Sequence, residues 1–322
     1  MVLILFLWMI MLHNGPDAGF ADPPLPVNVA PARIDNTYQT QEGQDMGSED
    51  SPTDSEILYG YAKKRFSTGK IIHEDRLNDQ SAFQKNWVVQ QSQADPQLER
   101  YARISEGRLH VHDPRGTTIW FRQKLKGPVM ISYRITCPSE YNSGTDIVPR
   151  DINQFWMAID PENPDPDQPG GLFDGKKYNG TFGTYDRLNC YYASTGGGNV
   201  TDNNRTVRFR RYPRKSGHDE IAHVALDDKD ENPDFLIRPD HEYLVQLVAA
   251  DDIVQFIFDG KVVYELQQGD QATLSVSDEA EKVWGTWGKE PWTLYREGWF
   301  GFRMTRTHHV YRDFKVYSLI PK

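Results

Sequence analysis

The sequence predicts an all-β chain, an antiparallel β-sandwich or jelly roll. Three observations carry that prediction. Short segments rich in aromatic and β-branched residues recur from residue 71 to the C-terminus, with turn residues between them. Long amphipathic helical patterns are nearly absent, and only residues 278–283 suggest a turn or two of helix. Asp259-Gly260 sits between two apolar runs, the chemistry of a type I′ hairpin. With 322 residues, 38% hydrophobic and 12% aromatic, the chain is long enough for a large core.

In order, residues 1–12 are almost wholly apolar but too short to cross a bilayer comfortably. With Gly19-Phe-Ala as a cleavage end, residues 1–21 are expected to be a secretory signal. Residues 22–60 follow as a disordered acidic linker, rich in Pro, Gln, Ser and acids, with too little apolar surface to offset the entropy of ordering. A single β-domain is expected over 61–322. Its early strands are expected at 87–90, 102–105, 108–112 and 118–124, with Glu106-Gly107 as a hairpin turn. Val-Met-Ile-Ser-Tyr-Arg-Ile-Thr at 129–136 alternates well, and Asn-Gln-Phe-Trp-Met-Ala-Ile at 153–159 is another strand. The four prolines of 161–169 demand a loop, and the glycine-containing stretch 172–184 reads as a surface excursion. Later strands fall at 243–248, 253–258, 261–266, 298–304 and 311–319. The two cysteines, Cys137 and Cys190, either pair or remain as buried thiols.

The net charge of −10 is uneven. Residues 1–56 hold nine acids and one base, whereas the rest holds 37 acids and 35 bases. The acidity therefore describes the tail, and the folded part lacks the broad basic excess of a nucleic-acid binder. No C-x-x-C or H-E-x-x-H pattern is present, so neither a metal nor another cofactor is expected. Gly196-Gly-Gly is followed by no helical pattern and is read as a strand connection rather than a phosphate cradle. After signal removal no segment is long and apolar enough to hold the chain in a membrane.

The exceptional stretch is 205–215, where five arginines and one lysine occur without an acid. Guanidinium forks suit carboxylate, phosphate or sulfate. Alternation puts Arg208, Arg210 and Tyr212 on one strand face and Phe209 and Arg211 on the other. The plain alternative is pairing of an arginine with Asp151 or Glu242. Of the neighbouring tyrosines 191 and 192, one must face the core, and Tyr192 is assigned to the site.

Several motifs carry a family resemblance over roughly residues 70–320: Asp151-Ile-Asn-Gln-Phe-Trp-Met-Ala, Asn189-Cys-Tyr-Tyr, Gly196-Gly-Gly-Asn, Arg208-Phe-Arg-Arg-Tyr and Gly298-Trp-Phe-Gly-Phe-Arg. In these the chain resembles concanavalin-A-like jelly rolls, and more narrowly a bacterial domain family found among polysaccharide-degradation genes. The resemblance implies carbohydrate-active function outside the cytoplasm, in a secreted or periplasmic protein. Lyases of uronate polymers such as ulvan are among the related enzymes.

Three reactivities are weighed. A retaining hydrolase needs two carboxylates about 5 Å apart, and the Glu-x-Asp-x-x-Glu strand of laminarinase-like sandwiches is missing. A glycan-binding module would use the same cleft without chemistry. A polysaccharide lyase removes the proton beside a uronate carboxylate, so it needs cationic or amide donors to hold that carboxylate and a Tyr or His to move protons. The expected machinery is Arg208 with Tyr212, Tyr192 or His218 as acid and base, and His223 as an alternative base. Arg210, Arg211, Asn153, Asn199, Trp156 and Arg303 are expected to bind the substrate, an anionic polysaccharide, uronate-bearing and ulvan-like.

Overall fold

The strong alternation of apolar and polar residues resolves into two facing antiparallel sheets. The computed structural model describes residues 53–93, 97–139, 147–197, 206–213, 220–223, 237–268, 273–276, 284–286 and 294–322. In chain order the first strands are β1 (Phe66–Asp75), β2 (Trp87–Gln91), β3 (Tyr101–Ser105), β4 (Arg108–Asp113), β5 (Thr117–Phe121) and β6 (Leu125–Lys126). The next are β7 (Val129–Thr136), β8 (Ile152–Ile159), β9 (Asn189–Gly197), β10 (Thr206–Tyr212), β11 (Glu220–His223) and β12 (Glu242–Ala249). The last are β13 (Ile253–Phe258), β14 (Lys261–Gln267), β15 (Thr273–Val276), β16 (Trp284–Thr286), β17 (Glu297–Met304) and β18 (Thr307–Pro321). Among the described residues, one sheet has eight strands in the order β14-β13-β12-β7-β18-β4-β3, with β1 also paired to β18. The other has ten, in the order β16-β15-β11-β10-β9-β8-β17-β5-β2, with β6 also paired to β17. The expected all-β sandwich is what forms.

The main core lies between the sheets. In β17 the side chains of Phe300, Phe302 and Met304 point inward, while Trp299, Gly301 and Arg303 face out, as a period of two requires. Trp87 stacks on Phe302 at 5.1 Å, and Phe302 meets Tyr311 at 4.2 Å. Burying a side chain of this size contributes roughly 1.5–3 kcal/mol. Both outer faces are partly covered. Leu58, Ala62 and Phe66 pack over Met130, Val248, Ile257 and Tyr317 on the eight-stranded sheet. On the ten-stranded sheet, Leu172, Tyr178, Tyr185 and Leu188 pack over Trp120, Phe155, Tyr192 and Tyr212. The stretch expected as a surface excursion is therefore part of a cover, because it and the residues just after it bury Leu172, Tyr178, Tyr185 and Leu188 on the sheet.

Other differences have equally local causes. The packed chain includes residues 53–60, ahead of the expected boundary at 61, because Leu58 is buried and Gln246 Nε2 donates to the Ile57 carbonyl at 3.0 Å. Two short helices, α1 (Gly60–Arg65) and α2 (Gln80–Asn86), went unforeseen because each is shorter than two full turns of periodic pattern. Asp79 caps α2 through a 2.6 Å bond from the Ala82 amide. The strand expected at 118–124 ends at Phe121 as β5, and the short strand β6 begins beyond it at Leu125. Asp259 and Gly260 hold φ of 51° and 76°, and Glu106 and Gly107 hold 51° and 69°, as two-residue type I′ turns demand. Cys137 and Cys190 are both buried free thiols. The helix expected at 278–283 falls outside the described residues.

The histidines of the early and late strands belong to the eight-stranded sheet. His110 Nδ1 and His308 Nε2 lie 3.2 Å apart, and His112 stacks on Tyr101. His309 is fully buried between the Arg150 carbonyl and the Tyr311 hydroxyl, both at 2.8 Å. A carbonyl only accepts, so Nε2 carries the proton and Nδ1 accepts from Tyr311. Burial is the main cause that pushes the His309 pKa from 6.5 down to about 3, with the charge of His308 adding to it and the Arg150 carbonyl opposing. The folded state thus holds His309 neutral while the unfolded chain protonates it near 6.5, so this stability is present above pH 6.5 and is lost as pH falls toward about 3. At about pH 5 the residue costs roughly 2 kcal/mol relative to neutral pH. Urea unfolding at the two pH values is expected to show a smaller acid loss in His309→Gln by about that amount; an equal loss in both proteins counts against this account.

Candidate functional site

The site is built by cross-strand register on the outer face of the ten-stranded sheet. Phe209 enters the core and stacks on Trp156, at 5.5 Å and 6° between planes. With Phe209 inward, Arg208, Arg210 and Tyr212 project from the opposite face. Arg208 stands beside Ser194, Ser194 beside Asn153, Asn153 beside Arg303 and Arg303 beside Thr118. A second row runs Arg210, Tyr192, Phe155, Gly301 and Trp120. Strands that are far apart in sequence thus bring Arg208, Arg210, Asn153, Tyr192 and Arg303 onto one surface.

The cover segment sets how deep this surface lies. Arg303 Nη1 donates to the Gly180 carbonyl at 2.7 Å, and its guanidinium lies 5.5 Å from the Phe182 ring and 5.9 Å from the Tyr185 ring. Gln90 Oε1 accepts from Tyr185 Oη at 2.9 Å and from Trp120 Nε1 at 2.8 Å, while its Nε2 donates to the Leu172 carbonyl at 2.8 Å. One buried glutamine therefore ties the cover to the sheet. Gly180 holds φ of +83°, and a Cβ there would come within 2.4 Å of the Gly116 carbonyl, so a side chain would lift the cover.

Asp151 and Asn153 supply the acceptors. Asp151 is buried in the left-handed region at φ 67°, with its amide donating to the Gly196 carbonyl at 3.2 Å. Burial, the largest effect, raises its pKa, against Arg150, a hydrogen bond from Asn153 and the charge of Arg303. Among the described residues, Asp151 Oδ2 and Asn153 Oδ1 are buried oxygens without a hydrogen-bond partner. Such oxygens call for an outside donor, water or ligand.

The expected residues separate cleanly. Arg208, Arg210, Asn153 and Arg303 share the face, with Arg208 half-buried and the other three buried. Arg208, Arg210, Arg211 and Tyr212 all have interaction partners. The pairing with Glu242 does not occur: that carboxylate lies on the other sheet, where Arg312 Nη2 reaches Oε1 and Arg312 Nε reaches Oε2, each at 2.6 Å. Trp156 is not a sugar platform, since it is fully buried against Phe209. Arg211 lies on the core-side face at the sheet's end, 4.0 Å over the Tyr295 ring, and does not join the others. Tyr192 and Tyr212 are on the expected face but buried beneath the cover. Burial, with the charges of Asp151 and Tyr212 adding, pushes the Tyr192 pKa well above its ordinary 10, so Tyr192 is no base at neutral pH. His218 and Asn199 fall outside the described residues. His223 stands opposite Arg210 in the β10–β11 ladder. Ser194, Gln90 and Phe182 were not anticipated; no motif marks them, and only register and the cover bring them in.

With the geometry in place, the chain can be compared with known proteins. The family described as a domain of unknown function, DUF6250, matches residues 111–277, just over half of the chain. The chain belongs to the DUF6250 family. The DUF6250 match contains Asp151, Asn153, Tyr192, Arg208 and Arg210, while Arg303 lies beyond it on β17. Among solved structures, a Bacillus subtilis protein of unknown function with a galectin-like fold is 17% identical. The likeness covers 80% of this chain and 100% of that one, with a TM-score of 0.52, and shows the shared fold. The carbohydrate-binding module CBM66 from Bacillus subtilis is 11% identical over 72% of this chain and 96% of its own, at a TM-score of 0.40. An endo-β-1,3-glucanase from Pyrococcus furiosus is 11% identical over 79% and 96%, at 0.43. No curated protein matches.

The register makes Trp156 a support rather than a contact. Trp156→Ala is expected to lower stability in chemical denaturation by about 3–5 kcal/mol. A loss below about 1 kcal/mol would contradict the placement.

Proposed function

We propose that this protein binds an acidic polysaccharide on the outer face of its ten-stranded sheet and cleaves it by β-elimination. The observation that carries the reading is the combination on one face of Arg208, Arg210 and Arg303 with Asn153, whose Oδ1 is a buried oxygen without a hydrogen-bond partner. A uronate sugar offers the complement: a carboxylate for guanidinium donors and hydroxyls for buried acceptors. The export expected from the apolar N-terminal run agrees with a polymer substrate outside the cell.

In this reading, Arg208 and Arg210 hold the uronate carboxylate and stabilise the charge that builds on it. A base takes the proton beside the carboxylate, the C–H electron pair becomes a C=C bond, and the bond to the neighbouring glycosidic oxygen breaks. That oxygen leaves with a proton, so the step needs no oxidant or water. Tyr192 keeps its proton, so the base is assigned to a histidine, and His223, opposite Arg210 in the ladder, is the candidate among the described residues. One observation favours a second reading, a binding module without chemistry: Tyr192 and Tyr212 are buried beneath the cover.

The test is incubation with ulvan, glycosaminoglycans, alginate, pectate and glucuronan, following the ultraviolet absorbance of the unsaturated uronate alongside affinity electrophoresis. Rising absorbance supports the lyase. Retention without absorbance establishes the binding module, and neither result on any polymer removes the proposal. Arg208→Gln is expected to weaken retention at least about tenfold, with a shallower salt dependence.

A further inference from the structure

The cover over the sheet presents an aromatic ring at the edge of this same site. Phe182 opens a single 3-10 turn, Phe182–Tyr185, at the crest of the cover, between the exposed residues Thr181 and Gly183. Phe182 itself is half-buried against the apolar cluster between cover and sheet, and the side chains its ring touches are buried. Arg303, 3% exposed, lies 5.5 Å from the ring centroid. The Tyr192 ring, 4% exposed, meets it at 5.5 Å with a tilt of 57°. With the buried guanidinium and the Tyr192 ring against it, the part of Phe182 that stays exposed is what a ligand could meet. The ring is also held: Arg303 is fixed by the Gly180 carbonyl two residues before Phe182, and Tyr185, three residues after it, is fixed by Gln90. A rigid, partly wet aromatic face beside a row of cations differs from an apolar side chain that merely fills a gap.

We infer that Phe182 is a stacking platform, on which one pyranose ring of the polymer lays its C–H face while an adjoining carboxylate reaches the Arg208–Arg210 row. This rests on the proposed function and adds a requirement to it: the ligand must offer an apolar ring face as well as negative charge. A small anion such as sulfate or free phosphate would engage only half of the site. The guanidinium beneath the ring draws electron density toward its own side, so contact on the outer side depends on shape and dispersion more than on charge. Loss of Phe182 should therefore weaken binding by the same factor at low and high salt, unlike loss of Arg208.

The experiment is affinity electrophoresis and calorimetry of the full chain and its Phe182 variants on ulvan, alginate, pectate and glucuronan, with thermal midpoints recorded for each. Phe182→Leu keeps an apolar group against Tyr192 but removes the flat face; it is expected to bind roughly five- to tenfold more weakly with an unchanged midpoint. Phe182→Tyr and Phe182→Trp are expected to bind like the wild type. If Leu binds as well as Phe on a polymer that the wild type retains, the platform is refuted and the acidic-polymer reading stands. Should Leu lower the midpoint, the Tyr and Trp variants decide: equal weakening in all three means the ring's role is packing, and the inference fails. If the wild type is retained by no polymer, this inference and the function it rests on fall together.

Discussion

The stacking of Phe209 on Trp156 is the contact on which the rest of the site depends. Strand β10 carries arginines on both sides of Phe209, and a strand shows alternate residues to opposite faces. A slip of one residue would bring Arg208 and Arg210 into the core and send Phe209 into water. The apolar burial of two large aromatics, roughly 1.5–3 kcal/mol each, acts against that slip. Moving two guanidinium groups into the core would add a larger desolvation penalty. The register of β10 against β9 and β8 is thus fixed from inside, and the chemistry outside follows from it.

The outer face of the ten-stranded sheet is not an open plate. The 160–188 segment roofs part of it with Leu172, Tyr178, Tyr185 and Leu188, and Gln90 fastens that roof through two hydrogen bonds, to the Leu172 carbonyl and from the Tyr185 hydroxyl, while a third from Trp120 holds Gln90 to the sheet. This divides the sheet into a dry end of stacked aromatics and an end where Arg208 remains half-exposed. The roof also decides protonation. Burial holds Tyr185, in the roof, and Tyr192, beneath it, above the usual phenol range, and a buried carboxyl in the same neighbourhood, Asp151, is raised as well. Low dielectric strengthens every charge interaction at that end.

Much of the fold was legible. Val129–Thr136 and Ile253–Phe258 begin and end where their patterns do, because alternation and turn residues bound them locally. The Asp259-Gly260 hairpin was equally plain, since positive φ at both positions restricts the residues that fit. The pairing of Arg208 with Arg210 and the inward turn of Phe209 also followed from period two alone. Less visible were β1, α1 and α2, short elements whose burial depends on a partner sheet rather than on their own pattern. Trp156 and Arg211 were expected at the substrate and stand elsewhere for different reasons. A tryptophan beside a polar residue reads equally well as core or as platform, whereas period two had already set Arg211 on the face of Phe209, away from Arg208 and Arg210.

What the sequence determined by itself was the all-β class, most strand positions, the concentration of arginines on one strand, and which of them share a side. Those depend on local periodicity and turn chemistry, which neighbours along the chain set. Tertiary structure alone decided that Asn153 and Arg303 stand in line with Arg208, that Trp156 is support, that the 160–188 segment is a roof, and that Phe182 sits at the site's edge. Each depends on strand register and sheet order across as many as 150 residues of chain between β8 and β17, and side-chain pattern within a strand holds no record of which strand will lie beside it.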